Sequence, residues 1–137
     1  MINYNNIDSK YIIKGKRRLG IWIQSCITEE GKELESISFT LCTDNYIIQL
    51  NNDSLQHDYY TDIITFELNE NNEPIIGDIY ISIDRVKENS KLYQTTFIQE
   101  LNRVIIHGVL HLCGYKDKSK KDEQLMRQKE NYYLNKI

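Results

Sequence analysis

The chain has 137 residues, a length that suits one compact domain, residues 1–137, able to fold without disulfides. Its formal net charge of −3 excludes an overall basic field for nucleic acid or anionic membranes, so any nucleic-acid contact must come from local patches. Three cysteines without CxxC spacing, an N-terminus unlike a signal peptide and the lack of a long apolar segment predict a cytoplasmic protein.

The first part of the chain shows one helical pattern and one strand pattern. Ile37, Phe39 and Leu41 alternate with polar residues and predict a half-buried strand, after which Asp44 can cap a short helix through Leu50. Before this strand, apolar residues at the spacing i, i+3, i+4, i+7 and i+8 predict a helix with one buried face. The residues of this face are Leu19, Trp22, Ile23, Cys26 and Ile27.

Two strands joined by a turn are predicted next. Ile64, Phe66 and Leu68 alternate as a strand, residues 69–74 are rich in turn formers, and residues 75–83 form a nearly continuous apolar run. The short connection favours an antiparallel hairpin. The second strand is apolar on both faces, which is typical of a central strand covered by helices.

Three helices are predicted in the remaining sequence. The first ends near Tyr93 and the second near Cys113, with Gly114 at the position where glycine commonly ends a helix. This order of elements predicts an α+β fold in which helices surround one mixed sheet. The candidate N-cap residues are Ser82 or Asp84, Thr95 or Thr96, and Ser119.

The strongest chemical signal is the segment H-G-V-L-H-L-C-G-Y-K-D at residues 107–117. Residues four apart on a helix differ by about 40° around its axis, so His107 and His111 project from one face. A bend at Gly114 would let Asp117 approach the same point. Two histidines and one carboxylate suit zinc and leave a fourth tetrahedral position open, as in catalytic sites. We therefore predict one Zn2+ ion bound by His107, His111 and Asp117.

Other interpretations of this segment are less favoured. A single histidine at the edge of an apolar stripe is usually an ordinary boundary residue, but a pair followed by a glycine and an acid favours a metal site. Residue 108 is glycine, whereas metalloproteases with the H-E-x-x-H motif have a glutamate base there, so a protease is the weaker hypothesis. Cys113 is interpreted as a small core residue and not as a ligand.

The same segment resembles the signature H-G-x-L-H-L-x-G-Y-D-H of the YbeY family, which are bacterial single-strand-specific metallo-endoribonucleases. Further blocks match in order and spacing, and the resemblance extends over residues 41–134. These blocks are Leu50-Asn51, His57-Asp58, Thr61-Asp62, Thr65-Phe66, Gly77-Asp78-Ile79, Glu100-Leu101, and Met126 with Glu130.

The resemblance implies a mixed four-stranded sheet packed with about five helices, a zincin-like metal helix and one zinc ion in a cleft. It implies a zinc-dependent endoribonuclease that acts in maturation of the 3′ end of small-subunit (16S) ribosomal RNA and in late ribosome quality control. The partners it implies are single-stranded RNA and the ribosomal RNA of the small ribosomal subunit. Neither a membrane nor DNA is expected as a partner.

Two positions depart from the family pattern. The third ligand of the family is usually histidine, and here that position is Asp117, whose charge should make a bound water less acidic. The family also has an arginine in the cleft, and by spacing that position is Leu55. The general base is unknown; His57 and Asp62 are candidates because they belong to the block that matches the cleft-lining segment of the family.

Two clusters of basic residues are candidate RNA contacts. The first lies where the first helix is predicted to begin, and helix stability does not explain it because cations there oppose the helix dipole. The second surrounds Asp117. Ordinary solvated surface is an equally good interpretation of both, and a steep salt dependence of RNA binding would distinguish the two. The clusters are Lys14, Lys16, Arg17 and Arg18, and Lys116, Lys118, Lys120 and Lys121.

Two alternative functions remain open on the sequence. A zincin-like hydrolase of a peptide or a small amide would share the metal site, but it would lack a glutamate base at residue 108. A non-catalytic, metal-containing ribosome-associated factor is supported by Leu55 at the position of the family arginine.

Overall fold

The computed structural model describes residues 1–55 and 61–137, and for residues 54 and 55 it describes the backbone alone. Within these ranges, four strands form one mixed sheet and five helices pack around it. None of the described helices is both long enough and apolar enough to cross a membrane. The elements are β1 (Ile2–Asn6), α1 (Lys16–Glu29), β2 (Leu34–Cys42), α2 (Asp44–Leu55), β3 (Ile63–Glu67), β4 (Ile75–Ser82), α3 (Ile83–Leu92), α4 (Phe97–Leu112) and α5 (Lys120–Leu134).

The strand order of the sheet is β1-β2-β4-β3. The pairs β1–β2 and β2–β4 are parallel, and β3 pairs with β4 in the antiparallel sense, so the predicted hairpin is confirmed. The central position of β4 is also confirmed. Strand β3 forms one edge of the sheet and contacts α4, and this edge is where the histidine-bearing helix lies.

The main core lies between the sheet and helices α1 and α4. All residues of the predicted α1 face are buried, as expected for an amphipathic helix on a sheet. On α4, close approach to the sheet depends on Gly108, where a Cβ atom would lie 2.8 Å from Ile63 Cδ1 and 3.1 Å from Ile79 Cδ1. The helix therefore packs with this face against β3 and β4.

Side-chain caps define the starts of the last three helices. Ser82 caps α3 by accepting from the Arg85 amide. Thr96 and Ser119 each form a capping box, with Gln99 and Asp122 respectively. The predicted cap positions thus include the observed ones, and α3 and α4 end one residue before the predicted ends.

Four details of the strands and of α2 differ from the prediction. Strand β1 was not predicted, because Ile2 and Tyr4 alternate with asparagines in a short polar segment at the sheet edge. The prediction that Leu68 belongs to β3 was wrong: the strand ends at Glu67, and Leu68 is 56% exposed. Ile83 begins α3 instead of ending β4, since Ser82 caps the helix there. Helix α2 continues beyond Leu50 to residue 55.

Candidate metal centre

Helix α4 carries its two histidines at the edge of its buried face. The residues Val104, Ile105 and Leu112 are buried, whereas His107 and His111 are only partly buried and line a cleft between α4, α5 and β3. The two imidazole rings stand edge to face, with centroids 4.6 Å apart. The sequence thus gives α4 one apolar face for the sheet and one histidine pair for the cleft.

A glycine-dependent turn follows α4 and returns the chain toward the histidines. Gly114 has a φ of 110°, which L side chains rarely adopt. The Gly114 amide donates to the His111 carbonyl at 3.0 Å, and the Tyr115 amide donates to the Leu110 carbonyl at 3.1 Å. These two bonds form a Schellman motif. Asp117 follows three residues after the glycine, at the mouth of the cleft.

The structure brings His107, His111 and Asp117 together. The Nε2 atoms of the two histidines are 3.0 Å apart, and each lies 3.4 Å from Oδ2 of Asp117. Ligand atoms about 2.0–2.1 Å from one tetrahedral zinc ion are about 3.3 Å from each other. The three potential ligand atoms therefore have the spacing of three corners of a metal-sized tetrahedron.

The other ring nitrogen of each histidine already has an acceptor. His107 Nδ1 lies 2.7 Å from Glu130 Oε2, and His111 Nδ1 lies 2.8 Å from the carbonyl oxygen of Tyr115. A carboxylate and a carbonyl only accept, so both Nδ1 atoms carry the proton and donate it. If both rings are neutral, the Nε2 atom of each histidine has a lone pair that points toward the other Nε2 and toward the carboxylate of Asp117. Such a set of donors is repulsive unless a proton or a cation lies between them, and it fits a divalent metal ion.

Glu130 connects the histidine to two arginines of the cleft. Its Oε2 accepts from His107, while its Oε1 accepts from Arg103 Nη1 at 2.9 Å and lies 3.3 Å from Arg127 Nη1. Burial alone would raise the pKa of Glu130, but the hydrogen bond and charge of His107 and the bond from Arg103 lower it overall. Burial lowers the pKa of His107, and Glu130 more than compensates, so that pKa is raised.

The second histidine is supported from the end of α1. Glu30 accepts from Tyr115 Oη at 2.6 Å and from Lys129 Nζ at 3.2 Å, and it makes a very short hydrogen bond with Tyr133 Oη. Because the carbonyl of Tyr115 accepts from His111, Glu30 fixes the loop that orients this ring. Each candidate ligand histidine therefore has its own outer support, a common feature of metal sites.

The cleft has a volume of about 940 Å³ and is rich in charge. Its described lining has more carboxylates than cations, so the cleft by itself does not attract phosphate strongly. Two of the carboxylates, Asp62 and Glu100, have pKa values raised by burial. The carboxylates are Asp62, Glu67, Glu100, Asp117, Glu123 and Glu130, and the cations are Arg103, Lys120 and Arg127.

Comparison with known proteins assigns the chain to a family. The profile described as Endoribonuclease YbeY matches residues 3–137. The chain belongs to the YbeY endoribonuclease family. It is 44% identical over 127 residues to Endoribonuclease YbeY of Cytophaga hutchinsonii, covering 93% of this chain and 89% of the relative. It is 51% identical over 113 residues to Endoribonuclease YbeY of Flavobacterium psychrophilum, covering 82% and 80% of the two chains.

A solved structure shows the same fold. The solution structure of TM1509 from Thermotoga maritima is 29% identical to this chain, with a TM-score of 0.69, and the match covers 98% of this chain and 87% of that one. The family resemblance and the mixed four-stranded sheet predicted from it are thus confirmed.

Asp62, one of the two candidate catalytic residues, lies in the described part of the chain. It lies in the wall of the cleft, directly before β3, and its carbonyl accepts from the Ser82 amide at 2.9 Å. The His107 imidazole lowers the Asp62 pKa, but less than burial raises it. His57 lies outside the described residues, as does the side chain of Leu55 at the position of the family arginine.

The two predicted basic clusters lie at different parts of the molecule. Lys16 and Arg17 line a groove between β1 and α1, at the sheet edge opposite β3, and Lys14 and Arg18 are exposed nearby in sequence. The first cluster is therefore separated from the metal cleft by the sheet. In the second cluster, Lys116, Lys118 and Lys121 are exposed, and Lys120 lines the cleft. RNA contact by either cluster remains a prediction.

Sequence reasoning missed Arg103 and Arg127 as residues of the cleft. It also missed that Glu130 bonds to His107. Arg103 lies four residues before His107 and therefore shares its helix face, a signal that the sequence does contain. Glu130 was recognised only as a matching family position, since its bond to His107 joins residues 23 apart in the chain. Helical spacing finds the first kind of neighbour but not the second.

Proposed function

We propose that this chain is a zinc-dependent, single-strand-specific endoribonuclease that acts in the maturation of the 3′ end of small-subunit ribosomal RNA and in late ribosome quality control. Membership of the YbeY family, whose relatives are named endoribonucleases, supports RNA as the substrate. The proposal places the protein in the cytoplasm with the small ribosomal subunit as partner. Three free cysteines in the described chain are compatible with a reducing compartment.

The observation that carries the proposal is the convergence of Nε2 of His107, Nε2 of His111 and Oδ2 of Asp117 within 3.0–3.4 Å of one another. These three residues would bind the metal ion, and Glu130 and the Tyr115 carbonyl would hold the histidines in the tautomer that binding requires. When bound, the ion supplies Lewis-acid chemistry, polarising a phosphoryl oxygen and lowering the pKa of a coordinated water.

A side chain of the cleft can contact the phosphate of the RNA. Arg103 lies one helical turn before His107 and is held by Glu130 and by Asn131 Oδ1, at 2.9 and 3.2 Å. We assign to it the contact with an RNA phosphate that the family arginine would make, because Leu55 cannot provide one. A guanidinium there stabilises charge that develops on the phosphate.

Asp62 is the proposed proton acceptor. Its raised pKa brings the carboxylate closer to the range in which a base works near neutral pH. A water oxygen attacks the phosphorus, its proton passes to Asp62, and the bond from phosphorus to the leaving ribose oxygen breaks. The leaving oxygen takes a proton from solvent.

The packing of Gly108 disfavours the alternative of a glutamate-based metalloprotease. A Cβ at this position would already lie 2.8 Å from Ile63 Cδ1 and 3.1 Å from Ile79 Cδ1, in the interface with the sheet. A glutamate side chain at residue 108 would meet this buried interface instead of entering the cleft as a base. The proteolytic mechanism of the H-E-x-x-H enzymes therefore has no place in this site.

Cleavage of a defined RNA tests the proposal. The purified protein is incubated with an RNA that has a single-stranded tail on a hairpin, with and without a chelator, and the products are resolved at nucleotide resolution. We expect cuts in the tail that disappear with chelator, return with zinc, and are lost in His111→Ala together with bound metal. Gln128→Ala is the matched control, because Gln128 is an exposed, uncharged residue of α5 that is not part of the described cleft lining.

The possible results separate the competing functions. Binding of the RNA without cleavage by the zinc-loaded protein would support a non-catalytic ribosome-associated factor. Full cleavage by His111→Ala, or by protein without metal, would refute the metal centre as the source of activity. A tail that carries the natural 3′ end of the small-subunit RNA then tests the proposed cleavage position.

A further inference from the structure

An exposed tyrosine at the end of α3 lines the cleft that contains the candidate metal ligands. Tyr93 is 58% exposed and lines the cleft, together with Asn89 and Arg103. Its neighbours Leu92 and Ile98 are 72% and 51% exposed. An aromatic ring left open to solvent inside a functional cleft is a candidate contact for an apolar or aromatic ligand group.

The turn between α3 and α4 holds this tyrosine in place. The Tyr93 amide donates to the Asn89 carbonyl at 2.9 Å, and the Thr95 amide donates to the Ser90 carbonyl at 2.9 Å. Between them, Gln94 takes a left-handed conformation with a φ of 57°. These bonds fix the backbone on both sides of the ring and direct the chain into the Thr96 cap of α4.

The length of α4 between the turn that follows Tyr93 and the two histidines corresponds to a short stretch of single-stranded RNA. Helix α4 begins at Phe97, directly after this turn, and His107 and His111 lie ten and fourteen residues later, or about 15–21 Å along the axis. Stacked nucleotides in one strand are about 3.4 Å apart, so this distance spans up to about six nucleotides. Arg103 lies between the two ends and is available for a phosphate.

We infer that Tyr93 is a nucleobase subsite, on which one unpaired base of the RNA stacks within about six nucleotides of the cleaved bond. The inference rests on the proposed function, which places an RNA strand in this cleft. A base must leave its helix to stack on a protein ring, and aromatic side chains bind unpaired bases in this way in many RNA-binding proteins. The subsite therefore provides a physical reason for a preference for single strands.

Abasic RNA tests the subsite directly. A labelled single-stranded RNA with one cleavage site is prepared in versions that lack one base at each position in turn. Binding to the zinc-loaded protein is measured by fluorescence anisotropy in the cold, before cleavage, and KM and kcat are measured separately. Wild type is compared with Tyr93→Ala and Tyr93→Phe, and with Tyr132→Ala, which removes an exposed tyrosine outside the cleft lining.

We expect one abasic position to weaken binding by wild type by about 5- to 150-fold, the range for loss of one stacked base. Tyr93→Ala should weaken binding of the complete RNA by a similar factor and raise KM more than it lowers kcat. In this variant, removing the base at that position should no longer change the affinity. Tyr93→Phe should bind like wild type, because a phenyl ring also stacks. Tyr132→Ala should leave binding unchanged.

Distinct results overturn the subsite and the proposed function. Equal binding of all abasic RNAs by wild type, or an abasic effect that persists in full in Tyr93→Ala, would overturn the subsite while cleavage of RNA stands. An equal loss in Tyr132→Ala would also overturn it. Failure of the zinc-loaded wild type to bind or cut any of these RNAs would overturn the proposed function and the subsite with it.

Discussion

Replacing Glu130 by glutamine removes the negative charge that connects the metal centre to the arginines of the cleft. The amide has nearly the same shape as the carboxylate, and its oxygen can still accept from Nδ1 of His107. What the variant loses is the charge at a hydrogen bond of 2.7 Å between side chains that are 22% and 4% exposed. We expect the histidine to remain in place but to bind the metal ion less tightly.

The expected loss of metal affinity can be estimated from the energy of a hydrogen bond to a charged group. Hydrogen bonds to charged groups contribute about 1.5–3 kcal/mol, roughly twice as much as neutral ones. The loss of charge assistance at His107 should therefore cost about 1–1.5 kcal/mol, or about 5- to 15-fold in metal affinity. Arg103 and Arg127 lose the same partner, so we also expect a higher KM for RNA.

Metal affinity is measured by competition with a chromophoric chelator, for wild type, Glu130→Gln and Glu123→Gln. Glu123 is the matched control, because it also lies on α5 and lines the cleft but is exposed. Wild-type affinity in Glu130→Gln would refute the orienting role of Glu130. Equal losses in both variants would show that the overall charge of the cleft, and not the bond to His107, sets the affinity.

Other parts of the site give three more predictions. Arg103→Gln should raise KM for single-stranded RNA about tenfold in steady-state kinetics, through loss of one charged phosphate contact, while chelator competition shows unchanged metal affinity. Gly77→Ala places a Cβ 2.6 and 2.8 Å from the methyl groups of Leu112, and urea denaturation should show a free energy of unfolding lower by about 1–2 kcal/mol; an unchanged value would contradict the packing. Gly114→Ala puts a side chain at a φ of 110° and should weaken metal binding, measured by the same competition, because the turn positions Asp117.

The sequence predicts the elements whose residues interact locally. The α1 face was predicted in full because its apolar residues repeat with the helical period, and all of them are buried. Strand β1 escaped prediction because its stability comes from pairing: Tyr4 pairs with Phe39 in register and the two rings stack at 5.6 Å. A polar edge strand has no local pattern strong enough to reveal such a partner.

Leu68 illustrates a misleading local pattern. It continues the alternation of Ile64 and Phe66, and on this basis it was placed in the strand. In the fold, its amide still donates to the Ile76 carbonyl at 2.8 Å, but its side chain is exposed, whereas Ile64 is buried. Alternation predicts which residues share a face, but it does not show how far along the strand that face is buried.

The sequence also predicts some features of the candidate metal site but not others, depending on whether they arise from local or from long-range contacts. Helical spacing is sufficient to place His107 and His111 together, and a glycine at the end of α4 is sufficient to predict a bend that returns Asp117. The bonds that orient the two imidazoles come from Glu130 and from the Tyr115 carbonyl. The side chain of Tyr115 in turn donates to Glu30, which lies 85 residues away in the chain. The packing of α1 and α5 against α4 determines which acceptor faces each Nδ1 atom. Residue spacing in the sequence does not predict these acceptors.

The excess of carboxylates in the described cleft lining should make RNA binding depend on the metal ion. Since this lining has more carboxylates than cations, the metal ion supplies charge that the protein does not, and RNA affinity should depend on metal even before any bond is cleaved. The basic cluster around Lys16 and Arg17 lies at the opposite sheet edge, where it cannot replace that charge within the cleft. Glu130 links these two expectations, because the same carboxylate bonds to the candidate metal ligand His107 through Oε2 and to Arg103, the proposed phosphate contact, through Oε1. We therefore expect binding of RNA and binding of metal to be coupled through this one buried side chain, so that Glu130→Gln weakens both.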